Sequence, residues 1–281
     1  MAAEGERLAV GFFDGVHLGH RAVLAGAGGV LTFTNHPLSV LAPERAPRLL
    51  MSTEERLAAI RALVRGPVTA LDFTPALAAL SPEEFAARHL GGGKIVRCGT
   101  NWRFGRGGEG DAAWLLAHGY AVEVVPPTEA DGEMVSSSRI RRALADGDLA
   151  AAARMTGRVW TLSGRIVRGK GLGTRLGLPT VNVDPGRPNC LRHGVYVASV
   201  GGLPAVANYG LAPTAGAAAW REPVLELHFT GVFDASAPAL ADGFATVELR
   251  RFLRDERTFG SFAELTEQIR RDIAAAEEVD A

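Results

Sequence analysis

The chain is short of cysteine and of lysine. Cys98 and Cys190 are its only two cysteines. They lie far apart and outside any CxxC or Cys/His grouping, which excludes a structural zinc site and favours two reduced thiols over a disulfide. Lys94 and Lys170 are the only lysines, so arginine carries almost all the positive charge; its planar fork suits phosphate oxygens. Neither sign of charge dominates: 30 Lys and Arg face 31 Asp and Glu, for a formal net charge of −1. The basic stripe of a nucleic-acid binder is missing, so nucleic acid is not an expected partner. Long apolar runs are missing too. None approaches the roughly 20 residues of a membrane span, and Met1 to Arg7 lacks the apolar core of a signal peptide. These absences predict a cytoplasmic protein with no membrane partner. They leave the oligomeric state open.

What is present is core-forming: 47% of the 281 residues are hydrophobic, and the length allows one large domain or two ordinary ones. The first half alternates short apolar runs with helical patterns. Leu8–Phe13, Gly29–Phe33, Val68–Phe73, Ile95–Cys98 and Ala121–Val125 read as strands. Ser52 with Glu55 forms a capping box, and Ser81 followed by Pro82 opens another helix. A further helix falls near Asp111–His118. This alternation predicts a Rossmann-like α/β domain, a parallel sheet covered by helices, with ligands at the carboxyl ends of its strands. Two short helices, Ser138–Ala145 and Leu149–Met155, close this half. Beyond Gly157 the pattern changes to short alternating stretches broken by Gly and Pro: Thr161–Arg168, Gly194–Val200, Ala205–Tyr209, Val224–Phe229 and Phe244–Leu249. They predict an antiparallel β-barrel, followed by a C-terminal helix over Ser261–Ala276. The expected boundary divides residues 1–157 from 158–281.

Four motifs in the first half carry chemistry. Gly11-Phe12-Phe13-Asp14-Gly15-Val16-His17-Leu18-Gly19-His20 turns a buried strand into a helix. The two histidines, three residues apart, then share one face beside free helix N–H groups, which makes an anion site. Ser136-Ser137-Ser138-Arg139-Ile140-Arg141 puts hydroxyls and two arginines at a helix start. Thr32-Phe33-Thr34-Asn35-His36-Pro37 and Gly99-Thr100-Asn101-Trp102-Arg103-Phe104-Gly105 both follow strands, where site residues belong. Phe33, Trp102 and Phe104 also read as core.

In the second half, Gly164 to Lys170 almost spells a phosphate-binding P-loop. Gly171 stands where Ser or Thr must bind magnesium, and the segment runs between strands rather than into a helix, so a P-loop is rejected. The glycines still permit close backbone approach to phosphates. Pro179-Thr180-Val181-Asn182 follows them. Thr180 and Asn182 offer a hydroxyl and an amide oxygen on one face of an extended segment, donors suited to magnesium. Glu226 lies within the apolar stretch Val224-Leu225-Glu226-Leu227-His228.

The order of these motifs resembles the bacterial bifunctional riboflavin kinase/FAD synthetase family from Leu8 to Ala275. HxGH, TFxPHP, GxNFxFG and the SSTxIR element match its FMN adenylyltransferase module. The Gly-rich flap with PTxN, Ala207 to Thr214 as ANxGxRPT, VExH and the segment from Leu253 to Asp272 match its riboflavin kinase module. Asn35 replaces a proline, Ser138 a threonine and Ala212 an arginine. Gly231 to Asp242 departs from the family's acidic stretch. The short interval from His20 to Thr32 predicts a first helix of only about two turns, below the usual length.

The resemblance implies ATP and Mg²⁺ as cofactors, with riboflavin, FMN and FAD as substrates or products. It assigns catalysis to His17, His20 and Arg141 in one half and to Glu226 in the other. Binding falls to Gly11, Phe13, Asp14, Gly19, His36, Asn101, Ser137, Ser138, Arg139, Gly169, Gly171, Gly173, Thr180 and Asn182, the last two as metal ligands. Two alternatives differ in class: a riboflavin kinase with an inactive nucleotide-binding module, and a non-catalytic flavin-binding regulator.

Overall fold

The computed structural model describes residues 6–91, 93–167, 180–186, 189–211, 223–230 and 238–277. The chain forms two compact units. One comprises residues 1–139 with 155–157; the other comprises 140–154 with 158–281.

The first unit is built on five parallel strands: β1 (Arg7–Val10), β2 (Gly29–Phe33), β3 (Val68–Leu71), β4 (Ile95–Gly99) and β5 (Ala121–Val125). Their order is β3-β2-β1-β4-β5. Helix α1 (Leu18–Leu24) follows β1, α2 (Thr53–Leu63) precedes β3, and α3 (Ala112–Ala117) precedes β5. Both faces of the sheet are covered, which is why its strands read as apolar runs. On one face Leu8, Val10, Leu31, Val96 and Cys98 pack with Phe85, Leu90, Phe104 and Leu115. On the other, Ala9 and Val30 pack with Phe13, Val23, Leu24 and Ile60. The capping box at α2 is complete: the Glu55 N–H donates to Ser52 Oγ at 3.1 Å, and the Ser52 N–H donates to Glu55 Oε2 at 2.7 Å.

Local readings fare differently. The first strand ends at Val10 rather than Phe13, because Phe13 adopts φ 62 and cannot continue a pleat. Helix α1 has seven residues, the short helix that the interval before Thr32 requires. A small hairpin, β6 (Glu129–Ala130) with β7 (Glu133–Met134), had no periodic signal in so few residues.

Helices α4 (Ser137–Asp146) and α5 (Leu149–Thr156) follow. Their span from 140 to 154 groups with the second unit, although the sequence pattern placed both helices with the first half. The reason is a contact with a residue distant in sequence. The Arg192 N–H donates to the Leu144 carbonyl at 3.0 Å, and its guanidinium donates to the Asp146 carbonyl at 3.2 Å.

The second unit is a closed six-stranded barrel in the order β10-β11-β12-β9-β8-β13, antiparallel throughout. Its strands are β8 (Trp160–Val167), β9 (Thr180–Asp184), β10 (Gly194–Val200), β11 (Leu203–Gly210), β12 (Val224–Phe229) and β13 (Phe244–Arg254). The C-terminal helix α6 (Phe262–Glu277) packs Ile273 and Ala276 against Val195, Val197 and Val206 on the outer face. Both cysteines are free thiols.

Helix α6 is also held by charge. Arg254 Nη2 on β13 donates to Asp272 Oδ2 at 2.6 Å, and the Asp272 side chain is only 6% exposed. Removing one partner of a buried pair strands the other charge and costs about 3–5 kcal/mol. Asp272→Ala should therefore raise hydrogen exchange of the α6 amides in the full chain, while the amides of β1–β5 keep their protection.

Candidate functional site

The first unit brings its motif residues to the carboxyl ends of β1, β2 and β4. Strand order reverses between β1 and β4, and the crevice of a doubly wound sheet opens at such a point. The segment after β1 is a tight turn. Phe13 and Val16 have φ 62 and 41, in the left-handed region that side chains with a Cβ rarely occupy. Gly15 has φ 82, and a Cβ there would meet Leu50 at 2.7 Å. At Gly11 a Cβ would lie 2.9 Å from the Phe13 ring, and at Gly19 it would press on the His17 ring at 3.2 Å. Asp14 is buried, and its carboxylate accepts from the Leu50 N–H at 3.0 and 3.2 Å.

His17 is the N-cap of α1, and its Nδ1 accepts from the His20 N–H at 3.3 Å. The two imidazoles stack with centroids 3.5 Å apart. An Nδ1 that accepts carries no proton, so the neutral tautomer of His17 presents Nε2–H as its donor. Burial pushes His17 down to about 4. Burial first, then His17 and Arg56, keep His20 well below its usual range. Both rings are therefore neutral near pH 7. His20 Nδ1 is buried without a hydrogen-bond partner among the described residues.

The other motifs gather unevenly. Ser137 Oγ donates to the Asp14 carbonyl at 2.9 Å, which ties the start of α4 to the turn. Ser138 is exposed. His36 Nδ1 accepts from the Leu38 N–H at 3.1 Å, and its ring meets the edge of Phe12 at 4.8 Å. Asn35 exchanges two hydrogen bonds with the Phe73 backbone, at 3.0 and 2.8 Å, extending the β2–β3 pairing past its end. Asn101 is exposed after β4, while Trp102 stacks on buried Phe104 at 4.8 Å. Arg139 is engaged elsewhere: it donates to the Glu133 and Met134 carbonyls at 2.9 Å and pairs with the Glu133 carboxylate at 3.0 Å, holding the β6–β7 hairpin. Arg141 is half-buried and belongs to the second unit.

In the barrel, Glu226 on β12 lies directly opposite Asn182 on β9 and Asn208 on β11. His228 lies opposite Thr180. Directly opposite residues share a face, with Cβ atoms about 4.5–5.5 Å apart. Leu225 and Leu227 alternate with them and are fully buried, so the polar row lies on the outer face, the one that also carries Val206. Asn208 Nδ2 donates to Glu256 Oε1 at 3.4 Å. His228 is buried; burial lowers its pKa, while Glu226 and Asp272 act in the opposite sense. Among the described residues no cluster of three or more His, Cys, Asp or Glu could hold a metal ion. A hydroxyl, an amide oxygen and a carboxylate instead suit Mg²⁺, which keeps water and phosphate ligands and needs no protein cage. Gly169, Gly171, Gly173 and Ala212 lie outside the described residues.

Sequence reasoning passed over Arg56, Asn208 and His228. The last two stood inside quoted motifs without a role. Arg56 had a signal, since it falls four residues before Ile60 on the buried face of α2.

Comparison with known proteins is consistent across the whole chain. Residues 1–139 match the FAD synthetase family model and residues 156–279 the riboflavin kinase model. The bifunctional riboflavin kinase/FMN adenylyltransferase of Escherichia coli K12 is 35% identical, covering 98% of this chain and 93% of that protein. The Pseudomonas fluorescens enzyme is 35% identical over 95% of this chain and 90% of its own length; that of Bacillus subtilis is 29% identical over 94% and 89%. A crystal structure described as a macrolide-efflux protein from Streptococcus pneumoniae superposes with a TM-score of 0.80 at 25% identity, over 99% of this chain and 95% of that one. That likeness carries the fold and not the description; among the described residues no helix is long and apolar enough to cross a membrane. The chain belongs to the bifunctional riboflavin kinase/FMN adenylyltransferase family, and as such it makes FMN from riboflavin and FAD from FMN.

Proposed function

We propose that residues 1–157 carry the adenylyl transfer and residues 158–281 the phosphorylation, each through the residues named above. The observation that carries the kinase assignment is the row Asn182–Glu226–Asn208 across three adjacent strands, with a carboxylate at its centre. Riboflavin's primary hydroxyl is a poor nucleophile at neutral pH. Glu226 accepts its proton as the oxygen attacks the γ-phosphorus of ATP, and ADP departs. Thr180 and Asn182 would hold Mg²⁺, which neutralises phosphate charge. By the resemblance, Gly169, Gly171 and Gly173, which lie outside the described residues, would serve the phosphates.

At the other site an FMN phosphate oxygen attacks the α-phosphorus of ATP, and the bond to the β-phosphate oxygen breaks to release pyrophosphate. Positioning and charge stabilisation suffice for such a transfer. His17 Nε2–H and His20 donate to the triphosphate. Arg141 clamps the leaving group, and Arg139 joins it by exchanging its bonds to the hairpin. Gly11, Phe13, Asp14 and Gly19 shape the turn, Ser137 and Ser138 cap the phosphate side, and His36 and Asn101 complete the nucleotide and flavin contacts. The partners are small molecules, without nucleic acid or membrane, and the setting is the cytoplasm.

Incubation with riboflavin, ATP and magnesium, followed by product separation, should yield both FMN and FAD; FMN alone would mean an inactive first module. Changing both His17 and His20 to Ala should abolish FAD formation while FMN formation continues. FAD made at the parent rate would sink the histidine assignment. Glu226→Gln should lower FMN formation by about 10²-fold, the scale for losing a general base, yet still make FAD when FMN is supplied directly. Thr180→Ala should instead weaken magnesium-dependent ATP binding, measured by titration calorimetry with and without the metal.

A further inference from the structure

Arg56 is the buried charge that the adenylyl-transfer chemistry leaves without a task. It is 0% exposed on α2, one turn from equally buried Ile60. A leucine or methionine would fill such a core position without the cost of desolvating a charge. All of its hydrogen bonds run to the carboxyl ends of β1 and β2. Nη1 donates to the Phe12 carbonyl at 2.8 Å and to Thr32 Oγ1 at 3.1 Å. Nη2 donates to the Phe33 carbonyl at 2.7 Å and the Thr34 carbonyl at 3.3 Å. The guanidinium carbon lies 4.1 Å from the Phe12 ring centroid.

We propose that Arg56 is a positioning residue for adenylyl transfer, fixing the Phe12 carbonyl so that the strained turn holds His17 and His20 in place. This rests on the assignment of the two histidines to the triphosphate. Phe12 immediately precedes Phe13, whose left-handed backbone persists only where its surroundings over-determine it. Arg56 and Thr32 Oγ1 both donate to that one carbonyl, the latter at 3.3 Å. The guanidinium donates to three strand-end carbonyls, those of Phe12, Phe33 and Thr34, and so ties the turn to the end of β2. A lysine carries the charge but cannot span the four acceptors from one atom. The same guanidinium adds to the burial that keeps His20 uncharged.

The test compares Arg56→Met and Arg56→Lys in the full chain, assaying FAD formation from FMN and ATP beside FMN formation from riboflavin. Arg56→Met should lower the kcat of FAD formation by about 10²-fold, the scale on which small misplacement of reacting groups acts. The KM for ATP should move by less than about threefold, because the transition state is affected more than ground-state binding. Arg56→Lys should recover about tenfold of that loss. FMN formation reports that the second unit is folded, and hydrogen exchange of the β1–β5 amides at the parent level reports that the first is. The proposal is overturned if Arg56→Met keeps FAD turnover within about twofold of the parent, if FAD and FMN formation fall together in both variants, or if Lys restores nothing. A His17 and His20 double alanine variant is assayed alongside. If it still makes FAD, the histidine assignment fails; if it does not while Arg56→Met is fully active, only the role of Arg56 fails.

Discussion

Strand β1 is hydrogen-bonded on both edges, to β2 through Leu8–Gly29, Ala9–Val30 and Val10–Leu31 and to β4 through Arg7–Ile95, Leu8–Val96 and Ala9–Arg97, and the adenylyl-transfer half depends on this double pairing. Because the strand order reverses there, the chain leaves β1 toward one side of the sheet and β4 toward the other. The crevice between them receives the histidine turn from one strand and the Asn101 loop from the other. Strand β1 ends at Val10 while β2 and β4 run on past it. Its polypeptide turns sharply at Gly11, and the energy stored in the left-handed Phe13 and Val16 is offset by Arg56, Asp14 and Ser137, each bonded to the turn or from it.

The barrel solves a different problem. A closed antiparallel sheet has an inside that must be filled, so alternate residues of β12 go to Leu225, Leu227 and Phe229. The remaining positions face outward, where Glu226 and His228 meet Asn182 and Thr180 from β9 and Asn208 from β11. Register alone aligns these groups; a one-residue slip of β12 would turn Glu226 into the lumen and Leu225 out. The apolar part of the same outer face is covered by α6, fastened by the Arg254–Asp272 pair. The polar row and the packed helix therefore share one surface.

Much of the fold was legible in the sequence because it rests on local signals. The complete capping box at Ser52, the alternation in β12 and the apolar runs of β1, β2 and β4 follow from side-chain periodicity and short-range hydrogen bonding. The ends of elements were less legible. Strand β1 stops at Val10 for a backbone reason that no periodicity reveals, and the six-stranded barrel extends β13 to Arg254, beyond its regular alternation. The segment from 140 to 154 read as the close of the first half. Arg192, far along the chain, draws it to the barrel.

The sequence by itself determined the two-part organisation and the short first helix, since motif spacing and hydrophobic period are properties of the chain. Only the tertiary structure decided which polar groups meet. It set Asn208 and Asn182 on either side of Glu226 through pairing register, buried Arg56 against the ends of β1 and β2, and committed Arg139 to the β6–β7 hairpin. These are contacts between residues distant in sequence. Their energies come from burial and from hydrogen bonds that exist only once the strands are in place, so no local pattern carries them.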